Sequence, residues 1–135
     1  MIYLDNSATT RQYDSVTEIM MEYMKKDFGN PSSLHRLGVN AERGIKNARK
    51  EMAMALGAKP EEIIFTSGGT EADNTAILGT AAARKRRGNK IITTVIEHPA
   101  VLETVKRLES QGNYVVEYIG VDEKGNVDLD GLKQA

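Results

Sequence analysis

The chain of 135 residues contains no cysteine and no tryptophan. Without cysteine, these residues form no disulfide and supply no thiol nucleophile. The 18 lysine and arginine residues nearly balance the 19 aspartate and glutamate residues, and this net charge of −1 does not favour nucleic acid or an anionic membrane as a partner. No apolar run approaches the ~20 residues that span a bilayer, and the first residues lack the pattern of a signal peptide. We therefore expect a cytoplasmic protein that binds neither nucleic acid nor membranes.

The first half of the chain has a helical pattern. Residues 2–10 have the composition of a short extended arm. Apolar residues at helical spacing predict one helix over residues 15–26, which begins with a capping box formed by Ser15 and Glu18. The turn residues at 28–33 predict a loop, and a second helix is predicted over residues 37–56, with Gly57 as its terminator.

From residue 62 onward, predicted strands and helices alternate. The strands are expected at residues 62–66, 90–95 and 114–119, and the helices at 70–87, 99–110 and from 128 onward. Pro99 suits a first helical turn, and Gly88 closes the helix before it. This order predicts an α/β fold with a parallel sheet. Parallel sheets need cover on both faces and usually have about five or six strands, so we expect an incomplete domain.

The turn between residues 66 and 70 has the composition of a phosphate site. Three apolar residues precede Thr66, Ser67, Gly68, Gly69 and Thr70, and helix formers follow them. The first turn of a helix has unpaired N–H groups, glycine lets a phosphate approach them, and the two hydroxyls of Ser67 and Thr70 can add donors. An ordinary strand-to-helix connection with Thr70 as the N-cap explains the same residues.

His98 follows the predicted strand at residues 90–95 and directly precedes a predicted helix. Ligands of open α/β sheets bind outside the carboxyl ends of the strands, where the turn at residues 66–70 is also expected. An imidazole beside a phosphate site can stack on a heteroaromatic ring or transfer a proton. The alternative is a histidine that caps its helix or lies in solvent.

Four motifs occur in an order and at separations that match one known family. They are residues 3–10 (YLDNSATT), 28–35 (FGNPSSLH), 65–74 (FTSGGTEADN) and 97–102 (EHPAVL). The chain resembles the N-terminal part of NifS/IscS-type cysteine desulfurases, which are class V aminotransferase-like enzymes, over essentially all its residues. The resemblance implies the first part of a fold-type I, pyridoxal 5′-phosphate-dependent transferase large domain, with three layers and a mainly parallel sheet. Residues 1–12 would be an N-terminal arm, and residues 13–135 the truncated first part of this large domain.

The resemblance also implies roles for individual residues. Gly69 and Thr70 match the residues that bind the phosphate of the pyridoxal 5′-phosphate cofactor. His98 matches the histidine that stacks on the pyridine ring, and we expect it to be catalytic as well as cofactor-binding. Asn6 and its neighbours up to Thr9 lie near the substrate in relatives, and His35 is expected to support its loop or the entry to the next helix. No metal site is expected.

The activity implied is the removal of sulfur from L-cysteine, which leaves L-alanine and an enzyme persulfide. The sulfur would pass to an acceptor or scaffold protein for iron–sulfur cluster or thio-cofactor assembly, and the enzyme would be a homodimer. The Schiff-base lysine, the aspartate beside the pyridine nitrogen, the persulfide cysteine and the arginine for the substrate carboxylate lie beyond the matched stretch in relatives. We therefore expect this chain alone to be inactive.

Two other interpretations fit the same residues. The chain could come from another class V enzyme, such as a selenocysteine lyase or an aminotransferase. It could also act without catalysis, as an interaction or scaffold module that pairs with the remaining part of such an enzyme.

Overall fold

The computed structural model describes residues 2–135, which form two compact units divided between Ile64 and Phe65. The first unit contains two helices and a 3₁₀ turn: α1 (Asp14–Lys25), α2 (Arg36–Leu56) and the turn at Pro60–Glu62. The second unit contains three helices and two strands: α3 (Gly69–Arg84), β1 (Lys90–Thr94), α4 (Pro99–Ser110), β2 (Val115–Ile119) and α5 (Leu129–Gln134).

Helix α1 begins one residue before its predicted start. Tyr13 is the N-cap residue, in extended conformation, and its side chain accepts no capping hydrogen bond. Ser15 and Glu18 both lie inside the helix, so the predicted capping box is wrong. Asp14 in the first turn complements the positive end of the helix dipole in its place.

Helix α2 has specific groups at both ends. The Nδ1 atom of His35 accepts a hydrogen bond from Gly38 N at 3.4 Å, which confirms that His35 supports the entry to this helix. Gly57 follows the last residue with φ of 64°, a left-handed conformation that glycine adopts without steric cost, so the predicted terminator is confirmed.

The loop before α2 packs closely on the start of the helix. Gly38 is buried, and a Cβ atom at this position would lie 2.2 Å from the backbone oxygen of Ser33 and 2.7 Å from that of Asn30. Since both neighbours are backbone atoms, a side chain at Gly38 would displace the loop. Glycine is therefore required for this contact.

The predicted strand at residues 62–66 does not form. Glu62 ends the 3₁₀ turn, and none of residues 63–66 belongs to a strand. Ile63 is extended, and its carbonyl oxygen accepts a hydrogen bond from the Arg49 guanidinium instead of from a neighbouring strand. An apolar segment becomes a strand only where another strand supplies the ladder.

The second unit contains a parallel pair of strands joined through α4, which confirms the α/β class. The register runs from Lys90 beside Val115 to Thr94 beside Ile119. Helix α4 packs on β2 and on α3. The sheet described has two strands, one fewer than predicted, because the segment at residues 62–66 does not join it.

The core of the second unit lies under one face of α4. Val105 and Leu108 are 2% and 6% exposed, and Ile119 of β2 is 4% exposed. Other large apolar side chains of this unit stay exposed, including Ile92 at 42% and Val115 at 60%. Within residues 2–135, the edge of β1 away from β2 has no strand beside it. These residues therefore form part of a sheet whose faces and edge are incompletely covered.

The start of α4 follows its predicted first residue, whereas the end of α3 differs from the prediction that Gly88 closes it. Pro99 is the first residue of α4, as predicted. Helix α3 ends at Arg84, three residues early, and a turn with Arg87 N bonded to Arg84 O follows it. The side chain of Asp128 caps α5 by accepting hydrogen bonds from the backbone N–H groups of Asp130 and Gly131. None of the helices within residues 2–135 is long and apolar enough to cross a membrane.

Two glycines provide a matched test of the loop packing at α2. Gly38→Ala should lower the free energy of unfolding by about 1–3 kcal/mol, because the contact with the loop backbone outweighs the ~1 kcal/mol gain in helix propensity. Gly79→Ala, in α3, should raise it by about 0.5–1 kcal/mol, since a Cβ there meets nothing within 4 Å. Urea unfolding measures both values. A Gly38→Ala protein as stable as the unchanged one would contradict the loop packing.

Candidate active site

The first turn of α3 presents unpaired backbone donors. Gly68 is the N-cap residue, and the first helical hydrogen bond joins Ala72 N to Gly68 O at 3.1 Å. The N–H groups of Gly69, Thr70 and Glu71 precede this bond and have no helical acceptor. Thr70 lies inside the helix, so the alternative that makes it the N-cap is wrong.

The space in front of this turn is open within the described chain. A Cβ atom built at Gly68 or at Gly69 would meet nothing within 4 Å. No hydrogen bond within residues 2–135 engages the hydroxyl of Thr70, although its carbonyl oxygen accepts one from Asn74. The turn therefore offers both N–H groups and a hydroxyl to an anion, which is the chemistry that phosphate requires.

Ser67 is not available as the donor that the sequence suggested. Its backbone N and its Oγ both donate to the same oxygen, Oε2 of Glu71, each at 2.6 Å. The hydroxyl bond first, and the backbone bond second, hold the pKa of the Glu71 carboxyl below its ordinary value of 4.5. Glu71 therefore orders the turn before the helix, and Thr70 is left as the hydroxyl donor of this site.

His98 is the N-cap residue of α4. Its Nδ1 atom accepts a hydrogen bond from Ala100 N at 3.1 Å, which confirms the alternative that it caps its helix. An accepting Nδ1 carries no proton, so the proton of the neutral ring lies on Nε2. Thr94 Oγ1 donates to Glu97 Oε1 at 2.8 Å and ties the end of β1 to the loop that leads to His98. The cap holds the ring through Nδ1, and His98 as a whole is exposed.

The structure brings Thr70 and His98 to one cavity. This cavity has a volume of about 450 Å³ and lies where the first turns of α3 and α4 meet. Gly69 precedes Thr70 in the same turn of α3. The full set of lining residues is Thr70, Asn74, His98, Pro99, Ala100, Glu103, Thr104 and Arg107. The predicted proximity of phosphate turn and imidazole is thus present, while their roles toward a cofactor stay predictions.

Asn74 and Thr104 join the two sides of this cavity, and the sequence alone did not indicate them. Asn74 Nδ2 donates to Thr70 O at 2.8 Å and to Ala100 O at 3.4 Å. Thr104 Oγ1 lies 2.7 Å from Asn74 Oδ1. The available signal was their spacing: each polar residue lies four positions after a residue of the first helical turn, on the same helix face.

The chain belongs to the aminotransferase class-V family, whose model matches residues 2–135. It is 51% identical over 134 residues to a cysteine desulfurase IscS of Methanosarcina thermophila, an alignment that covers 99% of this chain and 33% of the relative.

Solved structures of similar proteins agree with this family. A NifS-like protein superposes with a TM-score of 0.87 at 43% identity, over 96% of this chain and 35% of that one. SspA, determined in complex with cysteine, superposes with a TM-score of 0.86 at 38% identity, over 98% of this chain and 38% of that one. The chain spans about a third of the length of the relatives that it matches.

Enzymes of this family depend on pyridoxal 5′-phosphate. The residues of this chain fit one part of that cofactor: the free N–H groups and the Thr70 hydroxyl suit its phosphate, and the open space beside Gly68 and Gly69 leaves room for it. The exposed imidazole of His98, in the cavity that Thr70 lines, suits its flat ring. When bound, the cofactor supplies an electron sink for a carbanion at the substrate's α-carbon.

The Glu71 carboxyl should titrate below 4.5, and Ser67→Ala should raise its pKa, because that change removes the hydroxyl bond that lowers it most. A carboxyl whose pKa is lowered by folding contributes stability that is present above its ordinary pKa. This stability is lost as the pH falls through the pKa of the folded state. NMR titration of the Glu71 side-chain carbon measures the shift.

Thr66→Val is the matched control for this titration, since Thr66 Oγ1 donates to Gly68 O and not to Glu71. It should leave the pKa of Glu71 unchanged. A Glu71 carboxyl that titrates alike in the Ser67→Ala and unchanged proteins would refute the bond.

Proposed function

We propose that this chain is the N-terminal part of a pyridoxal 5′-phosphate-dependent cysteine desulfurase. The complete enzyme would remove sulfur from L-cysteine and leave L-alanine and an enzyme persulfide. The observation that carries this proposal is the single cavity that Thr70 and His98 line, in a chain about half identical to cysteine desulfurases over 99% of its length.

Three features of the first turn of α3 support its role as the phosphate site. The N–H groups of Gly69 and Thr70 lie before the first helical hydrogen bond, and the Thr70 hydroxyl lies beside them. The positive end of the α3 dipole favours an anion at this position. Gly69 and Thr70 would hold the cofactor through its phosphate and so set where its ring lies.

His98 would contact the cofactor ring and hold a proton near the substrate. The capping bond to Ala100 N immobilises the imidazole at Nδ1, so that Nε2 is the atom available for proton transfer. The substrate proposed, L-cysteine, is supported by the similarity to SspA, whose structure was determined with cysteine.

The chain alone should not carry out this reaction. It contains no cysteine to receive the sulfur, and it spans about a third of its relatives. The uncovered edge of β1 and the exposed Ile92 and Val115 are the surfaces that further strands and helices would cover in a complete domain. We also propose a homodimer in the cytoplasm that delivers sulfur to an acceptor or scaffold protein, as the family resemblance implies.

The full-length protein, loaded with pyridoxal 5′-phosphate, should convert L-cysteine to L-alanine and form a persulfide, while residues 1–135 alone should not. Chromatographic quantification of alanine and mass spectrometry of the persulfide measure both. Selenocysteine turnover without cysteine turnover would favour a selenocysteine lyase, and transamination without alanine from cysteine would favour an aminotransferase.

Thr70→Val provides the matched variant for this assay, since it keeps the shape of the side chain and removes the hydroxyl. A hydrogen bond to a charged group contributes about 1.5–3 kcal/mol, so the cofactor concentration for half-maximal activity should rise about tenfold or more. Thr80→Val, ten residues further along α3 and outside this cavity, should leave this concentration unchanged.

His98 would both cap α4 and contact the cofactor ring, and two substitutions separate these roles. His98→Ala should lower stability by about 1 kcal/mol through the lost cap and should also reduce turnover strongly. His98→Asn should restore stability, because asparagine is a good N-cap residue, and should not restore turnover. Thermal unfolding and steady-state kinetics measure the two effects. Full turnover in the His98→Asn protein would leave His98 with the capping role alone.

A further inference from the structure

The two halves of the proposed site lie on different helices. The phosphate donors belong to the first turn of α3, and His98 is the N-cap of α4. The distance between the phosphate and the ring of one cofactor molecule is fixed by its covalent structure. The site therefore works only if the starts of α3 and α4 keep a fixed separation.

Asn74 and Thr104 connect the two helices at this level. The Asn74 amide nitrogen has two protons, and it donates to Thr70 O on its own helix and to Ala100 O on α4. Both acceptors belong to the first turns that carry Thr70 and His98. The amide thus bridges the two turns directly.

Thr104 completes this bridge from α4. Its hydroxyl lies 2.7 Å from Asn74 Oδ1 and 2.7 Å from Ala100 O, and it has a single proton. Ala100 O already accepts from Asn74, whereas Oδ1 has no other donor among the described residues. The proton is therefore best placed toward Asn74, where it orients the amide with its nitrogen toward the backbone carbonyls.

Because Thr104 is buried, its hydrogen bond to Asn74 favours one position of α3 relative to α4. Thr104 is 5% exposed, and a sliding motion of one helix along the other would break the bonds from Asn74 to Ala100 O and from Thr104 to Asn74 Oδ1, leaving each side chain only its bond within its own helix. An apolar pair at these positions would pack without this requirement, since dispersion contacts tolerate small displacements better than hydrogen bonds do.

We propose that Asn74 and Thr104 are positioning residues, which hold the phosphate-binding turn of α3 and the imidazole of His98 at the separation that one cofactor molecule requires. This proposal rests on the proposed function. It assigns neither residue a contact with the substrate.

The test uses the full-length enzyme with pyridoxal 5′-phosphate. Thr104→Val should shift or weaken the visible circular dichroism of the bound cofactor and lower kcat at least tenfold, while KM changes less than threefold. Thr104→Ser, which keeps the hydroxyl, should restore both. The double variant Asn74→Leu with Thr104→Val should recover the Tm lost by Thr104→Val and should not recover the dichroism or kcat.

Val105→Ala is the matched control, since Val105 is the neighbouring buried residue of α4 and lies outside the cavity. It should lower Tm and leave the cofactor dichroism and kcat unchanged. If Thr104→Val behaves like Val105→Ala, or if Thr104→Ser fails to restore the dichroism, the positioning role is wrong. An unchanged full-length protein that binds no pyridoxal 5′-phosphate would instead overturn the proposed function, and this proposal with it.

Discussion

The packing of α3 against α4 is the constraint on which the rest of the candidate site depends. In the proposed site each helix would supply one end, and neither end alone would bind both a phosphate and a flat ring. The hydrogen bond between Asn74 and Thr104 lies one helical turn from these ends. The same two side chains also bond to Thr70 O and Ala100 O in the first turns of the helices.

The two helix starts are capped in opposite ways, and the difference matches their proposed tasks. Gly68 has no side chain to satisfy the first N–H groups of α3, so these donors remain free for an anion. His98 satisfies one such group of α4 with its own ring, and in doing so it holds the imidazole still. The start of α3 is therefore available to an anion, whereas the capping bond at the start of α4 holds the side chain of His98.

The described residues leave much of their apolar surface exposed. Among the described residues, Val105 is the largest side chain that is almost fully buried, and many apolar side chains of both units remain exposed. Hydrophobic burial is the dominant favourable contribution to folding, so residues 2–135 have a small reserve of stability. The chain spans about a third of the length of the relatives that it matches.

Local chemistry in the sequence predicted the two strands that form and most of the helix bounds, and it singled out Gly69, Thr70 and His98 as candidate site residues. Gly57, Pro99 and the periodic apolar residues act over a few positions, and for this reason the bounds of α2 and α4 were predicted closely. The motif around Gly69 and Thr70 and the one around His98 likewise indicated the family and the cofactor.

Tertiary structure decided what depends on distant partners. Residues 63–66 are apolar enough for a strand, but a strand exists only where another strand pairs with it, and Arg49 bonds to Ile63 instead. The sequence suggested the Ser67 hydroxyl as a donor to a phosphate, but the fold of the turn directs it to Glu71. The bridge between Asn74 and Thr104 joins residues thirty positions apart, and such a contact follows from helix packing, which no local pattern specifies.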